Sequence, residues 1–225
     1  MKNYFFDFLV VVVGISLSFL VEEYRVRREL NNHREQLIQR LATTLTDDIK
    51  DLNENIIAHQ AASESAGFMI EYQQGQHRDV PLDSLSYHLS ALSINTIFVP
   101  NEEEYESLKN SGQLELISDS ALVKSIHRKY ARHPFLRQVE AYMADLIARE
   151  VYPKYAGRTR PINALDSNIL RIHGSYPVHS FTQVPHIENH VLTDLQIYHL
   201  YYANVSRGLM NKTQELQDRI YSRKD

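Results

Sequence analysis

Hydrophobic and polar positions follow two unlike regimes along this chain. From Tyr4 to Val21 the sequence reads YFFDFLVVVVGISLSFLV, in which thirteen of the eighteen positions are Leu, Ile, Val or Phe and one, Asp7, is charged. Eighteen residues rise about 27 Å as a helix, close to the roughly 30 Å hydrocarbon core of a bilayer. The thirteen apolar residues each contribute about −0.3 to −0.6 kcal/mol at mid-membrane, in total about −4 to −8 kcal/mol. Asp7 lies within a turn of the boundary, where a carboxylate costs less than its roughly 3 kcal/mol at the centre. The pattern predicts a transmembrane anchor over residues 1–24. Two rival readings are a cleaved leader cut near Ser16-Leu17-Ser18 and a buried core helix. The first has only Lys2 as its basic start and an apolar run that continues past the cut to Val21; the second would need a polar face that the run lacks.

Beyond Tyr24 the apolar positions recur at spacings of three and four. Leu30, Leu37, Ile38, Leu41, Leu45, Ile49, Leu52 and Ile56 mark one face of a long amphipathic helix running from the span to about Gly75. A shorter helix is expected over Leu82–Leu92 after Pro81. Asn101 with Glu104 three residues on resembles a capping box opening a short helix that Gly112 ends, and Ser118 or Asp119 caps the next. That helix carries Leu122, Ile126, Tyr130, Leu136, Val139, Met143 and Leu146, with a bend expected at Pro134. Residues 157–185 hold Pro161, Gly174, Pro177 and Pro185 and read as an irregular connection with one helical turn at Ser167–Ile172. Pro185 suits the first turn of a final helix with Val191, Leu195, Tyr198, Tyr202, Val205, Leu209, Leu216 and Ile220 on one face. The expected fold is all-α: an N-terminal transmembrane helix continuing into a long-helix antiparallel bundle domain, residues 25–225.

Seven Gly and seven Pro in 225 residues suit such long elements. A net charge of −4 gives no global field for a polyanion, so nucleic acid is not an expected partner. With no Cys, disulfides, thiol nucleophiles and zinc–thiolate sites are excluded. Flanking charge is one-sided: Lys2 precedes the span, and Arg25, Arg27, Arg28, Arg34 and Arg40 follow it, which by the positive-inside rule points to a cytoplasmic bundle.

Two segments resemble a family of uncharacterised bacterial membrane proteins, mostly from Bacteroidota, with one N-terminal span and a helical domain. The first is Phe6–Tyr24, FDFLVVVVGISLSFLVEEY, with Asp7 opening the span and Gly14 inside the aliphatic run. The second is Glu103–Tyr130, where Tyr105, Leu108, Ser111, Gly112, Leu114 and Ile117 match a Tyr-x-x-Leu-x-x-Ser-Gly-x-Leu-x-x-Ile run. Together they cover about a fifth of the chain. The resemblance implies a single-pass protein of the bacterial inner (cytoplasmic) membrane and no particular activity. Family members often have a longer basic stretch before the span, which this chain lacks and which would leave the domain outside the cytoplasm. The side of the bundle therefore stays open.

Three constellations bear on function. Asp7, Gly14 and Ser18 fall within about 40° on the span, and Gly14 to Ser18 has small-x-x-x-small spacing, a face for a second copy or another membrane protein's helix; incidental placement explains the same residues. Lys124, Arg128, Arg132 and Arg137, with His127, Lys129 and His133, form the densest basic segment. It suits an anionic lipid or acidic partner, or a solvated face paired with Glu102, Glu103, Glu104 and Glu106. His186, His190 and Asp194 recur every four residues, but HIENH is not HExxH and no fourth ligand is indicated, so no metal or other cofactor is expected. No nucleotide-binding or hydrolase motif occurs. The sequence reads as a membrane-anchored, non-enzymatic helical interaction or scaffold protein. The alternative is a tethered ligand-binding sensor or metal-dependent enzyme with a pocket between helices.

Overall fold

A computed structural model describes residues 2–115, 117, 119–160, 171–172 and 176–222. One helix, α1, runs without a break from Lys2 to Gln73. Its 72 residues rise about 108 Å. Such length is permitted because the first proline of the chain is Pro81 and glycine occurs inside the helix only at Gly14 and Gly67. The helix stops where the sequence predicts. Gly75 takes φ +90°, its N–H donates to the Tyr72 carbonyl, and the Gln76 N–H donates to the Glu71 carbonyl, the paired bonds of a Schellman stop.

Helices α2 (Leu82–Ala91), α3 (Glu103–Asn110), α4 (Ser120–Tyr130), α5 (His133–Leu146), α6 (Tyr152–Tyr155) and α7 (Asn189–Tyr221) follow, with a π-helical turn at Ile147–Val151. Strands β1 (Arg171–Ile172) and β2 (Tyr176–Pro177) form a minimal antiparallel hairpin. The protein is all-α in character: a long apolar helix continuing into a helical bundle. Helix α7 lies antiparallel along α1, as side-chain bonds record. Gln217 donates to the Ala42 carbonyl, Ser63 to that of Gln196 and Gln73 to that of Ile187, so partner numbers fall as α1 numbers rise.

Helices α3 and α4 close one end of this pair. There Leu37, Ile38, Leu41 and Leu45 pack with Leu108, Leu122, Ile126, Leu216 and Ile220. At the other end Ala66 and Met69 pack with Leu85, Leu89, Ile147, Val151, Leu192 and Leu195. Between them Leu52 meets Phe98, Leu136, Met143, Tyr202 and Leu209. Burying one such side chain contributes about 1.5–3 kcal/mol.

Five expectations are corrected. Leu30 is 51% exposed and not part of the core stripe, because the bundle reaches back along α1 only as far as Leu37. Asn101 does not cap α3; the helix starts at Glu103, and the Asn101 amide is drawn instead to Asp48. Pro134 does not bend one long helix but starts a second: α4 ends at Tyr130, and proline, lacking an N–H, occupies the first turn of α5. The final helix begins at Asn189, four residues after Pro185, because the preceding segment stays extended while Ile187 is buried and its carbonyl held by Gln73. Of the expected turn at Ser167–Ile172, Arg171–Ile172 is strand and the remainder lies outside the described residues, as does the alternative cap Ser118. Asp119, the other choice, does cap α4 by accepting from the Leu122 N–H at 2.9 Å.

Candidate functional site

The basic segment of α4 and α5 divides between two sides of the bundle. On one side His133 Nδ1 bonds Glu102 at 2.8 Å and the Arg137 guanidinium meets the same carboxylate at 3.2 Å. The hydrogen bond from His133, with the charges of His133, Arg137 and Lys129, holds the Glu102 carboxyl below the usual carboxylate range. Arg137 therefore serves a surface ion pair worth about 0–1 kcal/mol. Lys124 is exposed and lies outside the groove described next.

On the other side α4 faces α7. Ser125, Arg128, Lys129 and Arg132 are spaced i, i+3, i+4 and i+7, and Lys212, Glu215, Leu216 and Arg219 repeat the same spacing on α7. Each set makes one face of a helical segment. The two sets line a groove of about 600 Å³. Lys129 and Leu216 are buried and form its floor; Arg128, Arg132 and Lys212 are exposed at its rim. Asp119 takes Arg219 through both carboxylate oxygens at 3.1 Å, and the Ser125 hydroxyl donates to the Ala121 carbonyl. Among the described residues, no carboxylate lies within ion-pair distance of Arg128, Arg132 or Lys212. Sequence reasoning found Arg128 and Arg132 and missed Lys212 and Arg219, about 80 residues away. The signal available was the repeated i, i+3, i+4, i+7 pattern.

The floor is fixed by charge. Lys129 Nζ and Asp48 form an ion pair in which both side chains are 0% exposed, and Asp48 also accepts from the Asn101 backbone and side-chain amides, each at 2.9 Å. Burial pushes the Lys129 ammonium below its ordinary range, and the Asp48 carboxylate pulls it back up. This pair locks α4 against α1, and so sets the side of α4 that turns to α7.

A second buried polar cluster lies deeper. His59 Nε2 is 3.1 Å from the Thr96 carbonyl, which can only accept, so that nitrogen carries the proton. Burial lowers the His59 pKa to about 4, leaving Nδ1 bare to accept from His199 Nδ1 at 2.8 Å. Beside it, Glu140 accepts from the Phe98 N–H and the Tyr202 hydroxyl, both at 2.8 Å, and the Tyr202 ring lies tilted against His59 at 4.1 Å between centroids. Of the four imidazole nitrogens, His199 Nε2 is buried without a hydrogen-bond partner among the described residues.

Along the apolar end of α1, every side chain from Phe5 to His33 is exposed. Gly14 and Ser18 line a shallow notch with Val11, Ile15, Phe19 and Glu22, and Asp7 lies outside it. The Ser18 hydroxyl donates to the Gly14 carbonyl at 2.9 Å, and a methyl group at Gly14 would meet nothing within 4 Å. His186 precedes α7, so it is not on the same helix as His190 and Asp194. Among the described residues no group of three His, Cys, Asp or Glu is placed to hold a metal. Compared with family models, curated proteins and solved structures, the chain matches none.

Proposed function

We propose that this chain is a single-pass membrane protein that holds a helical interaction domain at a set distance from a bilayer. The observation that carries the reading is the first part of α1: residues 5–21 are overwhelmingly apolar, none of their side chains is buried, and the helix continues without a break into the core. Thirteen large apolar side chains left in water would expose a patch far larger than a soluble monomer tolerates, and lipid removes that cost. Residues 22–33 then act as a stalk of about 18 Å, with Arg25 and Arg27 paired to Glu22 and Glu23. The resemblance to the Bacteroidota single-pass family belongs to this reading and puts the anchor in a bacterial cytoplasmic membrane.

The role is that of a non-enzymatic scaffold or adaptor. Within the span, Asp7, Gly14 and Ser18 form the face on which a second copy or another membrane protein's helix packs. Ser18 is already satisfied by Gly14, so the partner meets a small, smooth surface and need supply no hydrogen bond there. In native membranes the full chain is expected to resist alkaline carbonate extraction, and Gly14→Cys to form crosslinked adducts where Val12→Cys does not. Release by carbonate would end the anchor reading; equal crosslinking at both positions would end the face. A second reading, a tethered ligand-binding sensor, is favoured by the cationic groove between α4 and α7.

A further inference from the structure

We infer that the α4–α7 groove is a binding site for a small, soluble, multiply charged anion of the phosphate-ester class, held by Arg128, Arg132 and Lys212 over a floor of Lys129 and Leu216. Elsewhere on the same basic segment His133 and Arg137 meet Glu102 and Lys129 meets Asp48, while Lys124 is exposed and lies outside the groove. Arg128, Arg132 and Lys212 instead line a shared concavity, the arginines from α4 and the turn after it and the lysine from α7. Arg219, fixed by Asp119, closes one end. Glu215 is the one carboxylate in the lining and opposes the ligand.

Size and position narrow the occupant. About 600 Å³ falls in the range of small-molecule sites. Planar guanidinium groups suit the paired oxygens of a phosphate. On the anchor reading proposed above, lipid headgroups are out of reach. Lys129 meets α1 at Asp48, and Gln217, beside Leu216, meets it at Ala42. The groove therefore stands level with residues 42–48, about 27–36 Å of helix beyond Tyr24. With α1 upright this is more than three times the roughly 8 Å over which salt screens charge.

The test is calorimetric titration of pyrophosphate into the full chain in phosphatidylcholine nanodiscs. Saturable one-to-one binding is expected, weakened roughly tenfold by Arg128→Ala, Arg132→Ala or Lys212→Ala. Lys124→Ala, on the same helix but outside the groove, should change affinity less than about twofold, and Glu215→Gln should tighten it about two- to fivefold. Near-ultraviolet circular dichroism confirms that each variant keeps its tyrosine packing. Absence of wild-type binding at millimolar pyrophosphate overturns the inference, as does an equal loss from Lys124→Ala. If nanodiscs one-third phosphatidylglycerol weaken pyrophosphate binding tenfold, headgroups occupy the groove and the soluble source is wrong. Tighter binding of a pentaglutamate peptide would assign the groove to an acidic polypeptide instead. Any of these results leaves the anchor reading intact, since carbonate extraction decides that separately.

Discussion

From Phe5 to His33 no side chain of α1 is buried, whereas from Leu37 to Met69 the same helix supplies a buried residue at almost every third or fourth position. Backbone geometry is common to both stretches; what differs is the medium each sequence is built for. The first carries large apolar side chains at thirteen of its opening seventeen positions, which suits lipid, and the second is apolar on one stripe, which suits a partner helix. Helicity therefore says nothing about which part holds the fold together. Burial does, and changes in the second stretch should cost stability that changes in the first do not.

The largest expected effect is at Asp48. Asp48→Ala leaves the Lys129 ammonium buried without its counter-charge and should destabilise the bundle by about 3–5 kcal/mol. Urea unfolding followed by near-ultraviolet circular dichroism measures it, since the stacked Tyr105 and Tyr130 rings report packing near that pair. The double variant Asp48→Leu with Lys129→Met should be more stable than either single change, because no lone charge remains. A double variant as unstable as Asp48→Ala would show that the Asn101 amides, not the charge, carry the cost.

Next comes a contrast of like with like. Leu45 is fully buried against α3, α4 and α7, so Leu45→Ala should cost about 2–5 kcal/mol, while Leu17→Ala in the span should leave the unfolding midpoint of the bundle unchanged. Equal losses would mean that the two stretches unfold as one cooperative unit.

Acid separates the buried histidines from both. His59 has a folded-state pKa near 4 against about 6.5 unfolded, because burial disfavours its charged form. Above pH 6.5 neither state binds the proton, so stability is complete. As pH falls from 6.5 to 4 the unfolded chain protonates and the folded one does not, and about 3 kcal/mol is lost. His199, shifted the same way by burial and by His59, steepens the loss. Unfolding midpoints measured from pH 7.5 to 4 should fall accordingly, with a shallower slope in His59→Gln. An unchanged slope would place the acid-sensitive groups elsewhere.

How far these features could be read in advance depends on the range of the interaction. The end of α1 at Gly75, the Asp119 cap and the stop at Gly112 are set by residues within five positions and were legible. The split at Pro134 was half legible: proline announces a disturbance, but whether it bends or begins a helix depends on how α5 packs against α7. Lys129 looked like its basic neighbours because nothing local marks it for burial; its partner Asp48 is 81 residues away. Pairing of Lys212 with the α4 arginines, and of His59 with His199, exists only once α7 is laid antiparallel on α1.

The smallest effect tests where the two regimes meet. Leu30 continues the heptad-like stripe of α1, and by pattern alone its truncation should resemble that of Leu37. It is half exposed, and the residues around it from Glu22 to His33 are exposed too, so it belongs to the stalk and not the core. Leu30→Ala removes little buried area and replaces one strong helix former with a stronger one, so the expected change is within about 0.5 kcal/mol of zero. Leu37→Ala, seven residues on and buried, should cost about 2–5 kcal/mol. A loss at Leu30 as large as at Leu37 would mean that the stalk is covered in the assembled protein, by a second copy or a partner, and that the boundary of the packed unit lies nearer the membrane than the isolated chain suggests.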